Sequence, residues 1–197
     1  NHLDRLYQSE SAIIDTAHSF GRKAASHSHA KEGTMAAVNA GVDTIDHGTF
    51  LDEPTVKAMI QHGTWLVPTM IASVTAAEQA RSGALPPATI GKAEQAVAAA
   101  RASHVLAVRM GVKIAFGTDT GVSRHGDNAK EFALMVDRGM TPMAAIAAAT
   151  VGAAEALGQG RAFFRAGRND LLSTGQAGGI AGAGQFIHFV IFPARRS

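Results

Sequence analysis

From residue 10 to about residue 123 the chain alternates helix-patterned segments with short apolar or β-branched runs, and glycines mark many of the changes. No other feature restricts the fold as much. A strand that is followed by a helix and then another strand must cross back over the sheet, so the strands pair in parallel. Ile13, Ile14, Ala17 and Phe20 recur at helical spacing over residues 10–20, and Gly21 follows as a stop. Residues 23–29 read as a strand, 31–40 as a helix closed by Gly41, and 42–47 as a second strand. A helix over 52–61 carries Asp52 as N-cap, Pro54 in its first turn and Gly63 beyond its end.

Residues 64–70 are rich in β-formers and predict a third strand, and 81–87 a loop. A long helix is expected over 88–110, then a strand over 112–116 running into Gly117-Thr118-Asp119. Helices follow over 128–138 and from Pro142 to about residue 157. The class is α/β. Four such strands suit a small doubly wound sheet or half of an eight-stranded barrel equally, and periodicity leaves both open.

With 197 residues the chain has length for one domain. A net charge of +2, from 18 Lys+Arg against 16 Asp+Glu, offers no nucleic-acid surface. Without cysteine there is neither a disulfide nor a thiolate zinc site. No apolar run reaches the roughly 18 residues of a membrane span, and the start at Asn1 shows no leader pattern. Because residue 1 is not Met, either a leading segment has been removed or the chain begins inside a longer reading frame, and the compartment is left undecided, with the cytoplasm slightly favoured.

His27 and His29, His47, and Asp119 all fall at or just beyond the carboxyl ends of predicted strands. In parallel barrels that edge carries the chemistry. His27 and His29 are two residues apart and share a face of an extended strand. Imidazole and carboxylate are what zinc and similar ions take where cysteine is lacking. A lone histidine at a strand end is more often a hydrogen-bonded loop residue; three histidines and an aspartate on separate strand ends argue for a metal. His2, His18, His62 and His104 fall on helices or termini and are expected at the surface.

The segments from Ala17 through His29, from Ala40 through Thr49, from Phe116 through Gly121, from His125 through Glu131, and from Gly139 to Gly158 together resemble the amidohydrolase superfamily. The imidazolonepropionase-like and Xaa-Pro dipeptidase (prolidase) branch is the most similar. The resemblance covers about residues 9–158 and implies a TIM-type (β/α)8 barrel, of which this chain holds strands five to eight. It also implies one or two divalent ions, zinc first, and hydrolysis of a small amide such as a dipeptide or cyclic amide. By position, His27 and His47 match the fifth- and sixth-strand metal ligands, and Asp119 the eighth-strand aspartate that contacts metal and handles the proton of the attacking water. His29, His125, Asn128 and, more loosely, Tyr7 ahead of the first helix match substrate-side positions; Asn128 equally suits a helix cap.

Two departures stand out. The first-strand His-x-His pair and the fourth-strand lysine of the superfamily have no counterpart here, so this chain alone is expected to lack activity. After residue 158 the family pattern gives way to an anomalous tail, 159–197, read as frame-shifted or flexible, with a glycine run over 178–184 that no βαβ unit frames. The alternatives are a non-catalytic half-barrel or binding module, whose open strand edges favour association of copies into a homo-oligomer, and a phosphate site over residues 117–121. That last turn contains no Lys or Arg, although Arg124 is near.

Overall fold

A computed structural model describes residues 2–83, 86–159 and 186–190; side chains are described from residue 8 onward, and 186–190 by backbone alone. Helix α1 spans His2–Ser19, strand β1 Lys23–Ser28, α2 Lys31–Asn39, β2 Thr44–His47, α3 Glu53–His62 and β3 Trp65–Val67. Then come α4 at Met70–Arg81, α5 at Ile90–Met110, α6 at Lys130–Asp137, α7 at Pro142–Ala147, α8 at Ala153–Ala156 and β4 at Phe186–Val190. The sheet order is β3-β2-β1-β4 with every pair parallel. This is a mixed α/β fold, and among the described residues no helix is long and apolar enough to cross a membrane.

Local chemistry accounts for both ends of α3. Asp52 accepts from the Thr55 N–H at 3.1 Å and from the Thr55 hydroxyl at 2.6 Å, so α3 starts where the sequence predicts. Gly63 turns left-handed at φ 73° and stops it. The sheet buries one face: Ala24, Ile45 and Leu66 pack with Ile14, Val38, Val56, Met59 and Met70 in a single apolar cluster. The register sets Ala25 beside Thr44 and His27 beside Asp46. Alternation turns these residues to the opposite face, where Ala25, Thr44, Asp46 and Val67 line a cleft with Phe116 and Leu157.

Several expectations need correction. The strand expected over 64–70 ends at Val67, because Pro68 has no N–H for a ladder and Thr69 turns left-handed at φ 46°. Met70 then opens α4, a helix the sequence pattern did not predict. The strand expected over 112–116 is one parallel bridge, Leu66 to Ile114, held by Leu66 N–H to Lys113 O and Ala115 N–H to Leu66 O, both 2.9 Å. Its next donor, Phe116 N–H, goes to Ala148 O at 3.0 Å instead. That borrowed carbonyl lies where the expected 142–157 helix loosens into a π turn, Ala148–Gly152, between α7 and α8.

His104 is not a surface residue: it is 2% exposed on α5. The tail holds a regular element after all. β4 lies along the open edge of β1, Lys23 opposite Phe186 through His27 opposite Val190. Backbone pairing on a free edge needs no side-chain period, and Phe-Ile-His-Phe-Val is rich in β-formers. Residues 160–185 and 191–197, which include the glycine run, lie outside the described residues.

Candidate metal centre

Three imidazoles meet at the carboxyl edge of β1 and β2. One ligand-capable nitrogen from each of His27, His29 and His47 lies within 4.8 Å of the others, and among the described residues this is the one group of its kind. His27 Nδ1 and His47 Nε2 are 2.8 Å apart. The His29 and His47 rings stack at 4.7 Å, and His27 stands edge-on to both.

His47 is set by its backbone and by a hydroxyl, and His29 by a hydroxyl. In an unbroken strand His47 would face away from its neighbour Asp46 and from His27. Its left-handed φ of 75° ends the alternation there, and the ring meets His27. Thr69 Oγ1 then sits 2.6 Å from His47 Nδ1, and Thr49 Oγ1 sits 2.7 Å from His29 Nδ1. With Nδ1 engaged outside the cluster, each of these rings presents Nε2 to it. A hydrogen-bonded outer nitrogen is how proteins orient imidazoles toward a cation. The donor set therefore fits a divalent ion.

Partial burial first, and then the charge of His27, hold His29 below its usual pKa, while the Asp119 carboxylate opposes them. Asp119 is thus near enough to act on His29 electrostatically, although it stands outside the group of three. It lies in its own left-handed turn at φ 49°. The turn is tied on both sides: Thr120 donates to Asn128 Oδ1 at 2.9 Å, so Thr118 donates to Thr120 at 2.8 Å. Asn128, one of the substrate-side candidates, braces this turn. Gly117 is where the Asp119 segment passes β3; a Cβ there would lie 2.3 Å from Val67 Cγ1.

His125 is exposed in the loop ahead of Asn128 and is not part of the cluster. Tyr7 lies inside α1, since that helix begins at His2 and not near residue 10; its side chain lies outside the described ones. The sequence pattern did not point to Thr49, Thr69 or the fully buried Glu131. Their only signal is proximity to the carboxyl ends of strands or to a helix start.

The sequence profile of the amidohydrolase family matches residues 10–162. The chain belongs to the amidohydrolase family. It is 34% identical over 149 residues to an uncharacterized protein of Mycobacterium tuberculosis, covering 75% of this chain and 40% of that one. To the ochratoxinase of Aspergillus niger it is 34% identical over 148 residues, covering 74% of this chain and 30% of the other. Among solved structures, a Xaa-Pro dipeptidase with methionine bound in its active site superposes with TM-score 0.75 at 39% identity, over 79% of this chain and 38% of that one. The chain thus spans two fifths or less of the proteins it matches.

Proposed function

We propose that residues 1–158 are strands five to eight of the (β/α)8 barrel of a metal-dependent hydrolase that cleaves amide-type C–N bonds in small substrates. The observation that carries this reading is the convergence of His27, His29 and His47 within 4.8 Å. His27 and His47 would hold the ion, through the nitrogens that already approach to 2.8 Å; imidazole donors without thiolate favour zinc. Such an ion, when bound, polarises the substrate carbonyl and makes water acidic enough to lose a proton near neutral pH.

The chain's own residues supply the rest. Asp119, whose charge acts on His29, accepts the proton of the attacking water and returns it to the leaving amine. His29, on the solvent side of the cluster, and His125, in the loop beyond, face the substrate. Asn128 holds the turn that aims Asp119. Relatives named Xaa-Pro dipeptidase, prolidase and ochratoxinase support a dipeptide or a similar small amide as the substrate class. Because a His-x-His ending a first strand and a bridging lysine are missing from these 197 residues, the proposal assigns full turnover to a polypeptide that also supplies them.

The test is calorimetric titration of Zn2+ into the chain, its His27→Ala and His47→Ala variants, and a His125→Ala control, with a dipeptide panel assayed in parallel. The expected result is one binding event lost in the first two variants and kept in the control, with little turnover. Zn2+ uptake that ignores both substitutions would overturn the assignment and leave a binding module.

A further inference from the structure

Helix α4 is capped from outside. Thr69 holds its N-cap, where a threonine hydroxyl ordinarily accepts from one of the first unpaired backbone N–H groups. Here that hydroxyl caps nothing; it serves His47 Nδ1. The two leading donors go to a distant carboxylate instead. Met70 N–H donates to Glu131 Oε1 at 3.0 Å, and Ile71 N–H to Oε2 at 2.8 Å. Glu131 comes from the first turn of α6 and is 0% exposed.

Both carboxyl oxygens accept a backbone N–H, a pairing that favours the ionised form. Burial pushes this carboxyl above its ordinary range, and the Ile71 and Met70 N–H groups, with Arg138, work against that. The positive end of the α4 dipole adds to the attraction. Thr69 meanwhile sits at φ 46°. A β-branched residue stays in the left-handed region only where its surroundings hold it there. The clamp on the next two N–H groups is such a hold.

We infer that Glu131 is a positioning residue for His47: by capping α4 in place of Thr69, it keeps Thr69 left-handed and its hydroxyl available to orient the imidazole. The consequence for metal affinity rests on the function proposed above, whereas the orientation of His47 does not. Were Glu131 a structural cap only, its loss would lower stability and leave His47 as it is.

The experiment uses the full chain with 15N-labelled histidine, without metal, at mildly alkaline pH where imidazoles are neutral. Wild type, Glu131→Gln, Glu131→Asp and Thr69→Val are compared, each first checked for native circular dichroism. Gln turns an N–H toward one of the two donors, and Asp is too short to reach both. The expected result is a single His47 tautomer in wild type and averaged ring-nitrogen shifts in every variant, with Glu131→Asp the second test should Glu131→Gln not fold. Zn2+ titration then reads the consequence, a loss of about tenfold or more, typical of partners behind a ligating histidine. Glu131→Gln should add nothing to Thr69→Val. Unchanged His47 shifts in a folded Glu131 variant, or additive losses in the double variant, would overturn the inference. Failure of the wild type to take up Zn2+ would sink the proposed function, and the ring-nitrogen shifts would still decide the role of Glu131.

Discussion

Gly117→Ala adds one methyl group at the point where the segment leading to Asp119 crosses β3. The Cβ would stand 2.3 Å from Val67 Cγ1, with Val67 Cβ and Thr69 Cγ2 each at 3.8 Å. Two carbons pack comfortably at about 3.5–4.0 Å, so the segments must part by ~1.2 Å or Val67 must leave its rotamer. Val67 is half-buried in a strand, where a β-branched side chain has little freedom. Overpacking of this sort costs about 1–3 kcal/mol. Val67→Ala alone loses two half-buried methyl groups, about 1 kcal/mol. In the double variant the contact at 2.3 Å is gone and only those at 3.8 Å remain, both ordinary. The double variant should therefore be no worse than Val67→Ala, a favourable coupling of about 1–3 kcal/mol. Urea unfolding of the four proteins measures it. Additive losses, or a Gly117→Ala cost below about 0.5 kcal/mol, would refute the claim that this glycine exists for close approach.

Three further outcomes follow from single residues. Asp43 binds Lys23 Nζ at 2.6 Å, His18 Nε2 at 2.8 Å and the Ala24 N–H at 2.9 Å. Burial alone would raise its pKa, but these partners together hold it below the usual carboxylate value of 3.8. The stabilisation is present above that value and lost as pH falls through the folded pKa. Asp43→Asn should thus flatten the acid limb of a pH–stability curve and cost about 1–2 kcal/mol at neutral pH, since the Lys23 and His18 side chains are both partly solvated. His104 has no hydrogen-bond partner for either ring nitrogen among the described residues. Burial, and then the charge of Arg138, bring its pKa to about 4. Here the unfolded chain takes the proton first, so stability falls as pH drops from 6.5 toward 4; His104→Leu should remove that slope in thermal melts. Asp52→Ala deletes the α3 cap and should cost about 1 kcal/mol by urea unfolding.

What was legible in the sequence is what short-range chemistry decides. Asp52, Pro54 and Gly63 mark both ends of α3 because capping and left-handed turns are local events. That His27 and His47 end neighbouring strands was readable because strand–helix–strand order makes β1 and β2 parallel; that their rings meet depends on the left-handed turn at His47, which the pattern did not show. The misses are tertiary. Nothing near residue 70 announces α4, whose cap is a carboxylate brought in by α6. His104 carries a polar label on a helix whose polar face was expected in water, and its burial depends on where α5 packs. The role of Thr69 was equally hidden, because its partner lies 22 residues earlier.

Among the described residues, those other than glycine with positive φ are His47 at the end of β2, Thr69 at the start of α4, and Asp119 in the loop before α6. Such conformations cost of order 1–3 kcal/mol each and persist only where neighbours over-determine them. Those neighbours are identifiable: His27 and Thr69 on His47, Glu131 behind Thr69, Thr118, Thr120 and Asn128 around Asp119. A Cβ added at Gly117 would meet Val67 at 2.3 Å and Thr69 at 3.8 Å. One added methyl there displaces two strained turns against each other. A shift of ~1 Å between groups that must act together is enough to cost about a hundredfold in rate. In a complete enzyme, Gly117→Ala should therefore lower turnover by more than its loss of stability explains, and Val67→Ala should restore both.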